Sequence, residues 1–416
     1  MSHNTLEAPS ESRPYSASVA VRRLLTLLRA APEEAARLVA PWQDEEWSAV
    51  VAQAERRSLA PLLYDRMQRM AIAVSEGQMQ RLRRQYLATA AANLRRSHLL
   101  GGTLTSLRAA GIRVALLKGA HLAPLVYGNE ALRPMADTDL LVQEQEAGLA
   151  LEILAESGYD PVSGQAWMGE RYGHYALRHC ETGLLLELHA RLAPFEQRGE
   201  IDQAALWDRM LPATVAGERV WTLCPVDLLV YLSIHAASQH LLQMGLLPLF
   251  DLAALCAVSG GEIEAQELAL RAREWGGTRA TWLALTLARD LAGARVPDAF
   301  TQALGAAATP GLLADLCEQL LREPGQAGGA PSPNLMALWA APDWRTRLRT
   351  WGRILHPEAA HMRALYRLGE DEPVSGLLYL RRLSDLIFRR KATLRGLLGR
   401  TRETPYEALA RWLADG

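Results

Sequence analysis

Over most of its length the chain repeats apolar residues at three- and four-residue intervals, the spacing that lays one oily stripe along an α-helix. Val19 to Arg29 reads as such a helix. Asp44-Glu45-Glu46-Trp47 opens another, with acidic side chains in the first turn, where the helix dipole favours them. Two more helices are expected between about Glu76 and Ala110. The rhythm breaks at Gly111: Ile112-Arg113-Val114-Ala115-Leu116-Leu117 is short, apolar and bounded by glycines, which predicts a buried strand. Asp139-Leu140-Leu141-Val142 predicts a second strand, Glu144 to Ser157 a helix, and Leu184-Leu185-Leu186-Glu187-Leu188-His189 a third strand. Ala213-Thr214-Val215 and Arg219-Val220-Trp221-Thr222 flank Ala216-Gly217-Glu218 and predict a hairpin at the sheet edge. Beyond Pro225 the helical spacing returns almost to the end.

These elements predict an α+β protein, mostly helical, with one small mixed sheet. A chain of 416 residues suits two or three packed units. The divisions are a loose tail over 1–18, a helical region over 19–110, an α/β core over 111–224 and a helical region over 225–323. A linker or loop follows over 324–333, where closely spaced Pro and Gly cannot hold a helix, and an Arg-rich helical region fills 334–416.

Charge and cysteine content narrow the setting. With 45 Lys+Arg against 46 Asp+Glu, no global field draws the protein to nucleic acid or membrane. The polar segment Met1 to Ser18 has no apolar stretch of the secretion-signal kind. Leu241 to Gly261 is apolar and long enough for a bilayer, but it holds Pro248 and Asp251, so a buried helix pair is expected instead of a membrane span. Cys180, Cys224, Cys256 and Cys317 form no CxxC pair, which argues against a structural zinc site or a disulfide framework and fits a cytoplasmic location.

The candidate chemistry lies around the strand that starts at Asp137. Residues two apart in a strand face the same side, so Asp137 and Asp139 aim both carboxylates at one place. Such a pair repels itself unless a cation sits between the two charges, and hard oxygen ligands select Mg²⁺ or Mn²⁺. Glu187, inside an otherwise apolar strand, is the candidate third carboxylate, since an ionisable residue there is costly unless paired or metal-bound. Lys118-Gly119 follows the first strand and starts a helix, a combination suited to phosphate. Arg133 adds a candidate triphosphate contact. His189 shares the face of Glu187 and is a candidate substrate-side residue. His235 and His240 are substrate-side candidates too, but their five-residue spacing does not place them cleanly on one α-helical face, and zinc binding with Asp251 as third ligand is unforced. No Gly-x-Ser-x-Gly elbow supports Ser-His-Asp catalysis.

Leu117-Lys118-Gly119, Arg133-Pro134 with Asp137-Thr138-Asp139, and Glu187-Leu188-His189 together resemble the nucleotidyltransferase-like proteins of the polymerase-beta superfamily. The resemblance is to a poorly characterised branch sometimes found beside lasso-peptide biosynthesis genes. Ser58-Leu59-Ala60-Pro61-Leu62-Leu63-Tyr64, His235, His240 and Asp251-Leu252-Ala253 extend it over roughly Trp47 to Tyr366. It implies a polymerase-beta-type sheet and transfer of NMP from an NTP to an unidentified hydroxyl or phosphate acceptor, a small molecule or a peptide. Asp137 and Asp139 would hold the metal, with Glu187 as third carboxylate and general base, while Lys118, Gly119 and Arg133 serve the nucleotide.

Gly119-Ala120 stands where Gly-Ser or Gly-Gly is usual, and Thr138 where an apolar residue is usual. These departures motivate an alternative, a nucleotide- or peptide-binding adaptor of a biosynthetic or toxin–antitoxin system. The basic segment from Tyr379 to Arg402 motivates another, an RNA- or membrane-surface module, although a solvated helix packed on the core is favoured there.

Overall fold

A computed structural model describes residues 17–162, 173–192, 201–322, 359–366, 373–389 and 404–414, with a few single positions between them. The expected linker over 324–333, nearly all of the tail over 1–18 and residues 390–402 of the basic segment lie outside the described residues.

The chain opens with α1 (Ala17–Arg29), α2 (Pro32–Val39), α3 (Asp44–Arg56), α4 (Ala60–Arg69) and α5 (Glu76–Ala109). The last corrects the expectation of two helices: Glu76 to Ala109 is one helix of 34 residues. Gly101-Gly102 does not break it. Gly101 instead lets the hairpin carbonyl of Ala216 approach, and a Cβ there would lie 3.1 Å from that oxygen.

The sheet and its connections follow as β1 (Ala115–Leu117), α6 (Lys118–His121), β2 (Asp137–Leu141), α7 (Ala147–Glu156), β3 (Tyr159–Pro161), β4 (His174–His179), β5 (Leu185–His189), α8 (Gln203–Asp208), β6 (Leu211–Val215) and β7 (Glu218–Thr222). The strand order is β3-β4-β5-β2-β1-β7-β6. β2 runs parallel to β5 and β1 parallel to β7, the other neighbours being antiparallel, so the sheet is mixed as expected. The first strand is shorter than the expected 112–117, while the second starts two residues earlier and takes in both aspartates. β3 and β4 were not expected. The β6–β7 hairpin turns on Ala216 and Gly217, both at positive φ (54° and 80°), which suits the twist of a two-residue turn.

Helices α9 (Pro225–Ile234), α10 (Leu247–Ser259), α11 (Ala265–Glu274), α12 (Thr278–Leu287), α13 (Asp298–Leu304) and α14 (Pro310–Leu321) follow the sheet, and α15 (Ala359–Tyr366), α16 (Gly376–Arg389) and α17 (Pro405–Ala414) lie further on. The segment read as a buried helix pair contains one helix, α10, after a turn in which Leu241 and Leu242 take positive φ. Among the described residues no helix is long and apolar enough to cross a membrane.

Two cores lie on opposite faces of the sheet. Leu116, Leu140, Leu186 and Leu188 pack with Leu104 and Leu107 of α5 and Ala150 and Leu154 of α7. The helices before and after the sheet share a larger core, which Ala115, Leu117 and Leu141 join from the sheet's other side. The alternation of strand side chains therefore turns Asp137 and Asp139 toward the larger helical body, away from α5 and α7.

Candidate active site

Register brings the acidic residues together. Asp139 pairs with Leu117 of β1 on one side and Glu187 of β5 on the other, and two residues along Leu141 pairs with His189. Lys118, directly after β1, takes a φ of +43°, unusual for a lysine, at the point where strand becomes helix. Its Nζ lies 2.6 Å from Asp139 Oδ1 and 3.6 Å from Glu187 Oε2. His189 Nε2 lies 3.1 Å from the same Asp139 oxygen and 3.8 Å from Glu187 Oε2.

Asp139 is 1 % exposed, so its charge persists only because of these partners. Burial alone would raise its pKa, but the Lys118 ammonium and the His189 contact hold it well below the usual carboxylate range. Glu187 follows the same logic: burial raises it, while His174 and Lys118 lower it further. Burial also works against the Lys118 charge, yet Tyr231, Asp139 and Glu187 keep that pKa above the ordinary lysine value. Asp137, on the same strand face and only half-buried, has its pKa raised, first by burial and then by the like charges of Asp139 and Glu187. Arg96 of α5 reaches this edge, donating from Nη2 to the carbonyl of Ala136 at 3.3 Å.

A row of rings lies within electrostatic reach of Lys118. Tyr231 of α9 stacks near His235 (6.1 Å between centroids), and His235 meets His240 edge-on at 4.5 Å. Five-residue spacing brings the two histidines together because His235–Gln239 forms a π-helical turn, in which the His240 N–H donates to the His235 carbonyl at 3.2 Å. Burial pushes His235 down to about 3 and lowers His240, and the Lys118 charge lowers both further. Both imidazoles are neutral at ordinary pH.

Arg133 and Asp251 are drawn to each other. Arg133 Nε and Nη2 donate to the two Asp251 oxygens at 3.0 and 2.9 Å, and the Tyr127 hydroxyl donates to Asp251 at 2.9 Å. The Asp251 carboxylate is thus occupied by a guanidinium and a phenol. Arg133 Nη1 and the Met135 side chain fill the space above Gly119, where a Cβ would meet them at 2.6 and 2.8 Å. Glycine here admits a side chain of its own protein.

Sequence reasoning missed Arg96, Tyr231 and His174. The last, on the unexpected strand β4, lies with Nε2 3.1 Å from Glu187 Oε2. Of the basic segment, Arg381 lies over the Tyr366 ring and Arg382 is buried, which is how a helix packed on the core behaves.

No curated protein and no solved structure matches the chain. A family model described as an uncharacterised nucleotidyltransferase matches residues 43–293, more than half of the chain, from α3 through the sheet and the segments that carry His235, His240 and Asp251 to just beyond α12. On that match the chain belongs to this family of uncharacterised nucleotidyltransferases.

Proposed function

We propose that the protein transfers NMP from an NTP to a hydroxyl or phosphate acceptor, with Asp137, Asp139 and Glu187 holding Mg²⁺ or Mn²⁺. The observation that carries this is the position of Lys118 Nζ between Asp139 and Glu187: an internal ammonium occupies a place that the surrounding carboxylates make attractive to cations. The donor chemistry fits, because three carboxylates on neighbouring strands share one sheet face and the outermost, Asp137, is held above its usual pKa partly by the other two, although their oxygens are not all within 4.8 Å of one another. A bound divalent ion supplies Lewis-acid neutralisation of the phosphate oxygens.

The chain's own residues do the rest. Lys118 binds phosphate once its carboxylate partners are occupied. Arg133, locked by Asp251, positions the Gly119 turn. Glu187 accepts the acceptor's proton, and the neutral His235 and His240, on the helices after Pro225, line the acceptor side. Four free cysteines and an NTP donor suit a cytoplasmic setting.

Asp137→Asn keeps volume and removes charge, so it abolishes pyrophosphate release and labelled-NMP transfer in the presence of Mg²⁺ while leaving the circular dichroism spectrum unchanged. Undiminished transfer by this variant would refute the assignment. Incubation with each labelled NTP and a cell extract, read by mass spectrometry, identifies the acceptor.

The Lys118–Asp139 contact also supports a second reading, a nucleotide-binding adaptor whose carboxylates are neutralised by lysine instead of metal. Calorimetry with NTPs, with and without Mg²⁺, separates the two: an adaptor binds nucleotide equally well in chelator and releases no pyrophosphate.

A further inference from the structure

Beside the aspartates, β4 and β5 gather two imidazoles and a carboxylate whose arrangement nucleotidyl transfer does not require. His174 pairs with His189 across the antiparallel register. Their rings stack with centroids 4.7 Å apart and an interplanar angle of 14°. Both Nε2 atoms address one oxygen, Glu187 Oε2, at 3.1 Å from His174 and 3.8 Å from His189. One ligand atom from each of the three residues lies within 4.8 Å of the other two, a compactness found in no other His/Cys/Asp/Glu group among the described residues.

His174 Nε2 is buried and, despite its closeness to Glu187, makes no properly directed hydrogen bond. The nitrogen stands 3.1 Å from Glu187 Oε2, at the edge of the space among the three residues. An orphaned imidazole nitrogen beside a carboxylate and a second imidazole is what a metal site looks like without its ion.

We propose that His174, Glu187 and His189 bind an imidazole-preferring divalent ion such as zinc or cobalt, distinct in preference from the Mg²⁺ or Mn²⁺ held by the aspartates. Imidazole nitrogen is a poor ligand for Mg²⁺ and a good one for zinc, cobalt and their neighbours. Ligand atoms about 2.1 Å from a tetrahedral ion stand roughly 3.4 Å apart, and the two measured nitrogen–oxygen separations bracket that spacing. Three protein ligands leave the remaining position open, as in catalytic sites and unlike closed structural ones. Asp139 Oδ1, 3.1 Å from His189 Nε2, stands at the same edge. The inference rests on the nucleotidyl-transfer reading only through the shared Glu187; it stands on His174, which that reading does not use.

The test uses untagged full-length protein stripped with chelator and titrated with Co²⁺. A visible d–d absorption band saturates at one ion per chain, survives millimolar Mg²⁺ and is displaced by Zn²⁺. His174→Ala weakens Co²⁺ binding tenfold or more, whereas Asp137→Asn keeps the band while losing transfer. A band that persists with no transfer under any condition removes the nucleotidyl-transfer reading and leaves this site standing. No band in the wild type, loss of the band to Mg²⁺, or unchanged Co²⁺ affinity in His174→Ala overturns the site. Should His174→Ala fail to fold, pulsed electron paramagnetic resonance of one equivalent of Cu²⁺ bound to the wild type in millimolar Mg²⁺ decides: coupling to two imidazole nitrogens supports the site and its absence overturns it.

Discussion

Two buried ionic clusters stand on either side of the turn after β1, and they are built on different arithmetic. In one, Arg133 and Asp251 form a two-pronged pair, with Tyr127 donating to the same carboxylate, so one cation meets one anion and the geometry is closed. In the other, Lys118 faces Asp139 and Glu187, with Asp137 on the same strand face, so three carboxylates meet one ammonium. Even with Arg96 counted against Asp137, one negative charge is left over. A cluster that balances internally holds a loop in place, whereas one with surplus charge has something still to bind.

The sharpest way to break this comparison is to remove one partner from the closed cluster. Arg133→Met strands Asp251 in the core and costs about 3–5 kcal/mol of stability. The double variant Arg133→Met/Asp251→Leu, measured by urea unfolding, regains most of that. A midpoint unmoved by the single change would mean the pair is not closed.

The same operation on the open cluster is reversible by an ion. Lys118→Met costs about 2–3 kcal/mol in chelator, and Mn²⁺ at a hundred times its dissociation constant adds about 2.7 kcal/mol. The variant therefore gains more from Mn²⁺ than the wild type does. Equal gains would put both clusters in the same structural class.

A smaller effect comes from His121, which lies in α6 between the clusters with Nδ1 unpartnered; burial pushes it down to about 4. The unfolded chain, with an ordinary imidazole, binds the proton more readily, so stability is complete above about pH 6.5 and declines as pH falls toward 4. Between pH 6.5 and 5 the loss from this group is about 1.5 kcal/mol. His121→Leu should flatten that part of the profile, and an unchanged slope would assign it elsewhere.

Smallest is Gly119→Ala. Crowding against Arg133 and Met135 costs roughly 1–3 kcal/mol and alanine's helix preference returns about 1, a net loss of about 1 kcal/mol visible in thermal melts. A gain in stability would show that the guanidinium is free to move away.

The sequence was most readable where local periodicity decides the outcome. Asp137 and Asp139 fall on one strand face because alternation requires it, and register then sets Glu187 of the neighbouring strand beside Asp139. The partner of Arg133 was not readable, since it lies 118 residues further along the chain. His235 and His240 meet through a π turn, whose extra residue leaves no mark on an α-helical pattern. β4 escaped notice because His174, Arg178 and His179 interrupt its apolar run, and with it went the histidine that stacks on His189.

Helix α5 packs Leu82 into the larger core and Leu104 and Leu107 into the smaller one. Between them Asn93 donates to the carbonyls of Glu130 and Arg133, just ahead of β2. Each helical residue turns the chain by about 100°. An alanine inserted between Leu82 and Asn93 would therefore swing everything upstream out of phase with everything downstream. The helix acts as a keyed shaft that tolerates substitution on its outer side but not a change of length, so insertions in homologous chains should collect in the loops and spare this rod.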